Sequence, residues 1–304
     1  MILIVGPTAV GKTELSLQLA ERIKGEIVSC DSRQFYRGMD IGTAKPTSAE
    51  MRRVPHHLID VANPDETWSL AIFQARARQA IAEIHARGKY AILVGGTGQY
   101  VRALTEGWQP PQVEPDPRLR VVLEKLAAEN GKNWLHEKLA LLDPVSGQNI
   151  DVRNLRRTIR ALEVILTTGR LFSDQRLQGQ PSFPVLTIGL IRPRADLYSR
   201  IDARIETMFK NGLLREVEAL LAAGYSSELP SMSGIGYREC CLVLRGQLSE
   251  EEAKMLMKRA TRAFVRRQSN WFKESDPRIH WFDAGSDGLL DQVANFVEAN
   301  VRAG

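Results

Sequence analysis

Residues 6–13, Gly-Pro-Thr-Ala-Val-Gly-Lys-Thr, place two glycines, a lysine and a hydroxyl at the spacing that grips phosphate. Gly6 and Gly11 let the backbone through Pro7, Thr8, Ala9 and Val10 fold tightly with its N–H groups turned inward. Lys12 then reaches the outer phosphates, and the Thr13 hydroxyl is placed to ligate Mg²⁺. The string directly follows the apolar run Ile2 to Val5, and Leu15, Leu19 and Ile23 recur after it at helical spacing. The expected ligand is a di- or triphosphate. Whether phosphorus is the group transferred is a separate question.

An enzyme that transfers a γ-phosphoryl group normally holds its metal with an Asp at the end of a buried strand. The best candidate strand here, Tyr90 to Val94, ends in Gly95-Gly-Thr97-Gly98. The acid instead ends the second strand, Glu26 to Asp31, and runs into Ser32, Arg33, Gln34, Phe35 and Tyr36. Ligands of open α/β sheets lie outside the carboxyl ends of the strands. Asp31, Thr97 and the P-loop are therefore expected at one crevice, with Asp31 as a base or hydrogen-bond acceptor beside the substrate. A helix cap or a place in the metal shell is the alternative role for Asp31.

The elements that must position these groups read as strands alternating with helices up to residue 109, with a long helix from Ser69 to Arg87. Such alternation predicts a parallel sheet. Composition shifts at the proline-dense stretch Trp108 to Pro117, and residues 110–184 show helical periodicity with no convincing strand. A loose stretch, Leu177 to Pro184, precedes the apolar run Val185 to Ile191, which suits a buried parallel strand. Helices follow from Asp196 to Ala223 and from Ser249, whose Glu252 completes a capping box, to Glu274. A strand at Arg278 to Asp283 and a terminal helix close the chain. The predicted class is α/β: a P-loop parallel-sheet core with helices on both faces, built from residues 1–109 and 185–304, and an all-helical insertion domain at 110–184.

The chain of 304 residues carries a net charge of +5, and its arginines are unevenly placed. Arg153, Arg156, Arg157 and Arg160 interleave with Leu155, Ile159, Leu162 and Leu166, giving one insertion helix an inward apolar stripe and an outward arginine stripe. Lys258, Arg259, Arg262, Arg266 and Arg267 repeat the pattern further on. Arginine's planar fork suits phosphate, so a nucleic-acid backbone competes with plain solvated surface as the reading of both stripes. The loop Ser231 to Arg238, with Gly234, Gly236 and Tyr237, is either a base-stacking loop or a tight turn before a helix. Arg200 and Arg204, one helical turn apart, either clamp a diphosphate or lie on the surface. Cys30, Cys240 and Cys241 form no disulfide framework and no zinc pattern, and His56-His57, too isolated in sequence for a metal site, is expected to be structural. No apolar stretch approaches the ~20 residues of a membrane helix. A cytoplasmic protein without membrane segments is expected.

In order and combination, residues 6–13, Asp31–Tyr36, Asp40–Pro46, Pro55–Asp60, Gly95–Tyr100, Arg160–Val164, Gly236–Arg238 and Thr261–Gln268 resemble the bacterial tRNA dimethylallyltransferase (tRNA isopentenyltransferase) family. The resemblance spans nearly the whole chain. It departs at Val265-Arg266, Asn270 and Trp68, where the family more often shows Ala-Lys, Thr, and Tyr or Phe. What it implies is transfer of a dimethylallyl group from dimethylallyl diphosphate to N6 of the adenosine 3′-adjacent to the anticodon, in tRNAs reading U-initial codons. By the same resemblance, Asp31 is the general base, Lys12, Thr13 and Arg200 hold the diphosphate with Mg²⁺, and Thr97 lines the reaction channel. The matched tRNA contacts, to the anticodon stem-loop, are Asp31, Ser32, Arg33, Gln34, Arg156, Arg157, Arg160, Gly236, Tyr237, Arg238, Arg262, Arg266, Arg267 and Gln268, and a monomer is expected. Two rival readings share the core: a P-loop small-molecule kinase, and a prenyltransferase acting on free adenine nucleotides.

Overall fold

The computed structural model describes residues 1–108, 111, 113–174 and 183–301. Gln109, Pro110 and Gln112 of the proline-dense stretch, and Leu177 to Ser182 of the loose stretch before the returning strand, lie outside the described residues.

The chain runs β1 (Ile2–Val5), α1 (Lys12–Ile23), β2 (Gly25–Ser29), α2 (Ser48–Arg53), β3 (His56–His57), α3 (Leu70–Ala86), β4 (Tyr90–Val94) and α4 (Gly98–Thr105). Four helices follow: α5 (Pro117–Asn130), α6 (Lys132–Leu142), α7 (Pro144–Asn149) and α8 (Leu155–Thr168). Then come β5 (Leu186–Ile191), α9 (Arg194–Lys210), α10 (Leu213–Ala222), a 3-10 turn at Ser231–Ser233, α11 (Tyr237–Leu244), α12 (Glu250–Trp271), β6 (Ile279–Asp283) and α13 (Leu289–Val301). All six strands pair in parallel in the order β3-β2-β4-β1-β5-β6. The site therefore gathers where β1, β2 and β4, three neighbours in the sheet centre, all end.

Strand periodicity divides the sheet's two faces. Ile2, Ile4, Ile27, Ile92, Ile188 and Leu190 join one core with residues of α1, α9 to α13. Leu3, Val5, Val28, Ala91 and Leu93 join another with Phe73, Ala77, Ile81 and Ile84 of α3 and Val101 and Leu104 of α4. The chain divides into two compact units, Met1–Leu104 with Ser182–Gly304, and Thr105–Pro181. The second has a core of its own around Leu123, Leu135, Leu139, Ile159 and Leu162.

Two details depart from the sequence reading. The single helix expected from Asp196 to Ala223 is broken, because Gly212 takes a left-handed φ of 97° and caps the start of α10. The edge strand β3 had no sequence signal, since two residues are too few to show alternation.

Candidate active site

The P-loop turns sharply out of β1. Gly6 has φ 147°, and a Cβ there would stand 2.6 Å from the Leu190 carbonyl oxygen, so only glycine fits. Gly11, at φ 117°, enters α1 with no side-chain cap. The first-turn N–H groups of α1 therefore point out of the helix unpaired, adding the positive end of its dipole to the cradle. Ala9 is one of few non-glycine residues at positive φ, 67°. Lys12 folds back over the loop and donates to the Gly6 and Pro7 carbonyls at 2.9 and 2.8 Å. Burial lowers its pKa to about 8; the Asp31 carboxylate opposes that shift and the Arg204 guanidinium adds to it.

The Asp31 and Arg204 charges both act on Lys12. Arg204 on α9 is half-buried, and desolvation lowers its pKa while Asp31 opposes the shift. Arg200, one turn earlier, donates from Nε to the Ala9 carbonyl at 2.8 Å and braces the loop from outside. Of the two arginines, Arg204 is the one coupled to both Lys12 and Asp31. Spacing alone left both on one face without saying which of them met the crevice.

Asp31 follows β2, and its Oδ1 accepts from the Arg33 N–H at 2.9 Å in an Asx turn, with no donor to Oδ2 among the described residues. Thr97 starts α4, its carbonyl accepting from the Tyr100 and Val101 N–H groups. Beside these loops Phe35 lies 4.7 Å from Trp68, and Tyr100 stacks on Phe73 at 4.5 Å, ring centroid to centroid. Burial pushes the Tyr100 phenol up to about 12, so it stays protonated at neutral pH. Burial likewise raises the Cys30 thiol, and the Asp31 charge adds to that.

Several side chains expected on RNA have internal partners instead. Tyr237 is only 1% exposed, and its hydroxyl donates to Glu216 Oε1 at 2.6 Å, so its ring offers no face to a base. The same Glu216 carboxylate accepts from the Asp40, Ile41 and Gly42 N–H groups, which fixes the 40–42 loop against α10. Arg33 donates to the Pro230 and Ser231 carbonyls, and Gln34 binds Ser29 and Ala44. Arg262 donates from Nη2 to both Asp202 carboxylate oxygens and lies over the Tyr198 ring. Gln268 is buried between two loops, donating to Gly96 and accepting from Thr8. Arg160 pairs with buried Glu163, which also takes two bonds from Arg120, and donates to the Val113 carbonyl.

In the remainder of that set Gly236 is buried and the other residues are half-buried or exposed. Ser32 is half-buried, Arg156, Arg266 and Arg267 are exposed, and no ion pair holds Arg156 or Arg266 among the described residues. Arg157 is half-buried at the start of α8, its N–H capped by Asn154. Arg238 pairs with Glu239 yet keeps an exposed side chain, and Gly236 precedes it at φ 99°. Of the internal carboxylate partners, two are distant in sequence, Glu216 from Tyr237 and Asp202 from Arg262, whereas Glu163 lies one helical turn from Arg160.

A glycine-bounded amide cradle at a strand-to-helix turn, in a parallel sheet with helices on both faces, defines a P-loop α/β protein. Its acid stands at the end of β2, and β4 ends in a glycine turn. The family model for IPP transferase matches residues 34–275. The chain is 52% identical over 303 residues to the tRNA dimethylallyltransferase of Roseiflexus sp. (strain RS-1), covering 100% of this chain and 99% of that one. It is 46% identical over 292 residues to that of Carboxydothermus hydrogenoformans, covering 95% and 93%. Among solved structures, the full-length tRNA isopentenylpyrophosphate transferase of Bacillus halodurans superposes with a TM-score of 0.74 at 40% identity, covering 99% of this chain and 96% of that one. A eukaryotic dimethylallyltransferase acting on tRNA gives 0.84 at 27% identity, covering 100% of this chain and 79% of that one. The protein belongs to the IPP transferase family.

Proposed function

We propose that the protein transfers a dimethylallyl group from dimethylallyl diphosphate to N6 of the adenosine 3′-adjacent to the anticodon in tRNAs reading U-initial codons. The observation that carries this reading is a glycine-bounded phosphate cradle at the start of α1, with Asp31 just past the end of β2 and the strand between them in the sheet, β4, ending without a carboxylate. A γ-phosphoryl transferase wants an acid there; a diphosphate leaving group does not.

In the proposed reaction the N6 amine attacks the allylic carbon, the carbon–oxygen bond breaks, and its electron pair leaves with the diphosphate. Asp31 takes the N6 proton. An arylamine is a poor nucleophile, so holding it in line with the carbon supplies much of the rate. The backbone of Gly6 to Gly11, the first-turn N–H groups of α1, Lys12 and Arg204 hold the departing charge in a site already oriented for it. Arg200 keeps the loop in shape, and Thr97 lines the path between donor and acceptor.

Thr13 fits Mg²⁺: its side chain is exposed at the α1 terminus, and its hydroxyl has no hydrogen-bond partner among the described residues. No cluster of three His, Cys, Asp or Glu suits a metal among the described residues. An ion held by Thr13 would need further oxygen ligands of the kind that phosphate and water supply. Bound there, it would neutralise charge on the leaving diphosphate.

Ser32, Arg156, Arg157, Arg238, Arg266 and Arg267 are the proposed contacts to the tRNA backbone of the anticodon stem-loop. No helix among the described residues is long and apolar enough to cross a membrane, and a cytoplasmic monomer suits a tRNA substrate. Parallel incubations with labelled dimethylallyl diphosphate plus tRNA, and with labelled ATP, test the reaction. Label should reach RNA from the prenyl donor. Transfer of γ-phosphate alone would establish a kinase, and AMP outcompeting tRNA as acceptor would establish a nucleotide prenyltransferase.

A further inference from the structure

Gln268 sits near the end of α12, far in sequence from the P-loop, and is only 3% exposed. Its Oε1 accepts from the Thr8 N–H at 2.9 Å, and its Nε2 donates to the Gly96 carbonyl at 3.2 Å. Only one orientation of the amide satisfies both bonds. One end grips the phosphate cradle; the other grips the turn between β4 and α4 that carries Thr97. Room for that amide is made by glycine, since a Cβ at Gly96 would stand 2.0 Å from Nε2. The helix is held in turn by what flanks Gln268: Val265 lies in one core and Phe272 in the other. The adjacent Trp271 packs so closely on Gly98 that a Cβ there would stand 2.2 Å from the indole Cγ.

We infer that Gln268 is a positioning residue, which sets the spacing between the diphosphate cradle and the Thr97 turn without touching RNA. A carboxamide is the side chain this bridge requires. Glutamate lacks the donor for Gly96 and brings a negative charge towards the diphosphate; asparagine is one methylene too short to span both loops. The inference deepens the function proposed above and rests on it for the identity of the donor, but the cradle can be probed with inorganic diphosphate alone.

The experiment is a double-mutant cycle on Gln268→Ala and Gly96→Ala, with Gln268→Glu as a third variant. Calorimetry with inorganic diphosphate and donor kinetics are read together with tRNA affinity and the thermal unfolding midpoint. Each single variant should weaken diphosphate binding about three- to tenfold, the effect of one net hydrogen bond, and raise KM for the donor more than it lowers kcat. Gly96→Ala acts by expelling the amide, so in the Gln268→Ala background it should add less than twofold. Gln268→Glu should weaken diphosphate further than Gln268→Ala, and tRNA affinity should stay within twofold for all. Additive losses, or wild-type diphosphate binding in both folded single variants, would overturn the assignment. So would a selective loss of tRNA affinity. If wild-type protein binds diphosphate and the cycle behaves as stated while no prenyl group reaches RNA, the bridge stands and the proposed reaction falls. Prenyl transfer with an additive cycle would do the reverse.

Discussion

Replacing Tyr237 by Phe removes a single oxygen from a ring that is 1% exposed, and so separates an internal hydrogen bond from RNA stacking. The phenol donates to Glu216 Oε1 at 2.6 Å, an oxygen whose other donor is the Gly42 N–H at 3.2 Å. A hydrogen bond to a charged group contributes about 1.5–3 kcal/mol. Because Gly42 remains to satisfy Oε1, the lower half of that range, about 1.5–2 kcal/mol, is expected. The ring itself keeps its packing, so no cavity larger than one oxygen adds to the loss. At about 2–4 °C per kcal/mol for a unit of this size, the midpoint of thermal unfolding should fall by roughly 3–8 °C. Calorimetry of the Tyr237→Phe protein reads this, and tRNA titration should give an unchanged dissociation constant. Gly42→Ala, whose Cβ would stand 2.5 Å from the ring's Cε2, attacks the same contact and should cost at least as much. An unchanged midpoint for Tyr237→Phe together with weakened tRNA binding would refute the reasoning and return Tyr237 to the RNA interface.

Asp31→Ala should lower kcat by about 10²–10⁴ and leave the tRNA dissociation constant within a few-fold; equal losses in both would remove Asp31 from the proton transfer. Lys12 is held by burial at about 8 in the free protein, and the neutral amine that forms as pH rises through that value binds the diphosphate less well. KM for the donor should therefore climb above about pH 8 while kcat at saturating donor stays level, because a bound anion keeps the ammonium charged. A flat KM across that range would contradict it. Arg266→Ala should flatten the dependence of log binding constant on log salt by roughly 0.7–0.9. Arg262→Ala should leave that slope alone and reduce stability by about 0.5–1 kcal/mol, as its pair with Asp202 requires.

The crevice was legible because its parts are local strings at strand ends: the eight residues 6–13, Asp31 after β2, and Thr97 after β4. Backbone geometry follows from glycines at fixed offsets, and a parallel sheet carries those strand ends to one side. Local strings do not show the internal partners of Tyr237 and Arg262, because Glu216 and Asp202 reach them only through tertiary packing. Glu163 is the instructive case. It lies fully buried on the helix that carries the arginine stripe, binding Arg160 and Arg120 together. Gln268 shows the limit most sharply: a glutamine in a basic helix suits RNA equally well until the fold brings Thr8 and Gly96 to its two ends.

Mass spectrometry of nuclease-digested tRNA after reaction with the protein and dimethylallyl diphosphate tests the central claim most directly. The account predicts one added five-carbon unit, on the adenosine 3′-adjacent to the anticodon of tRNAs reading U-initial codons, with release of one diphosphate per unit. RNA recovered without that unit, from protein that binds both tRNA and diphosphate, would contradict it.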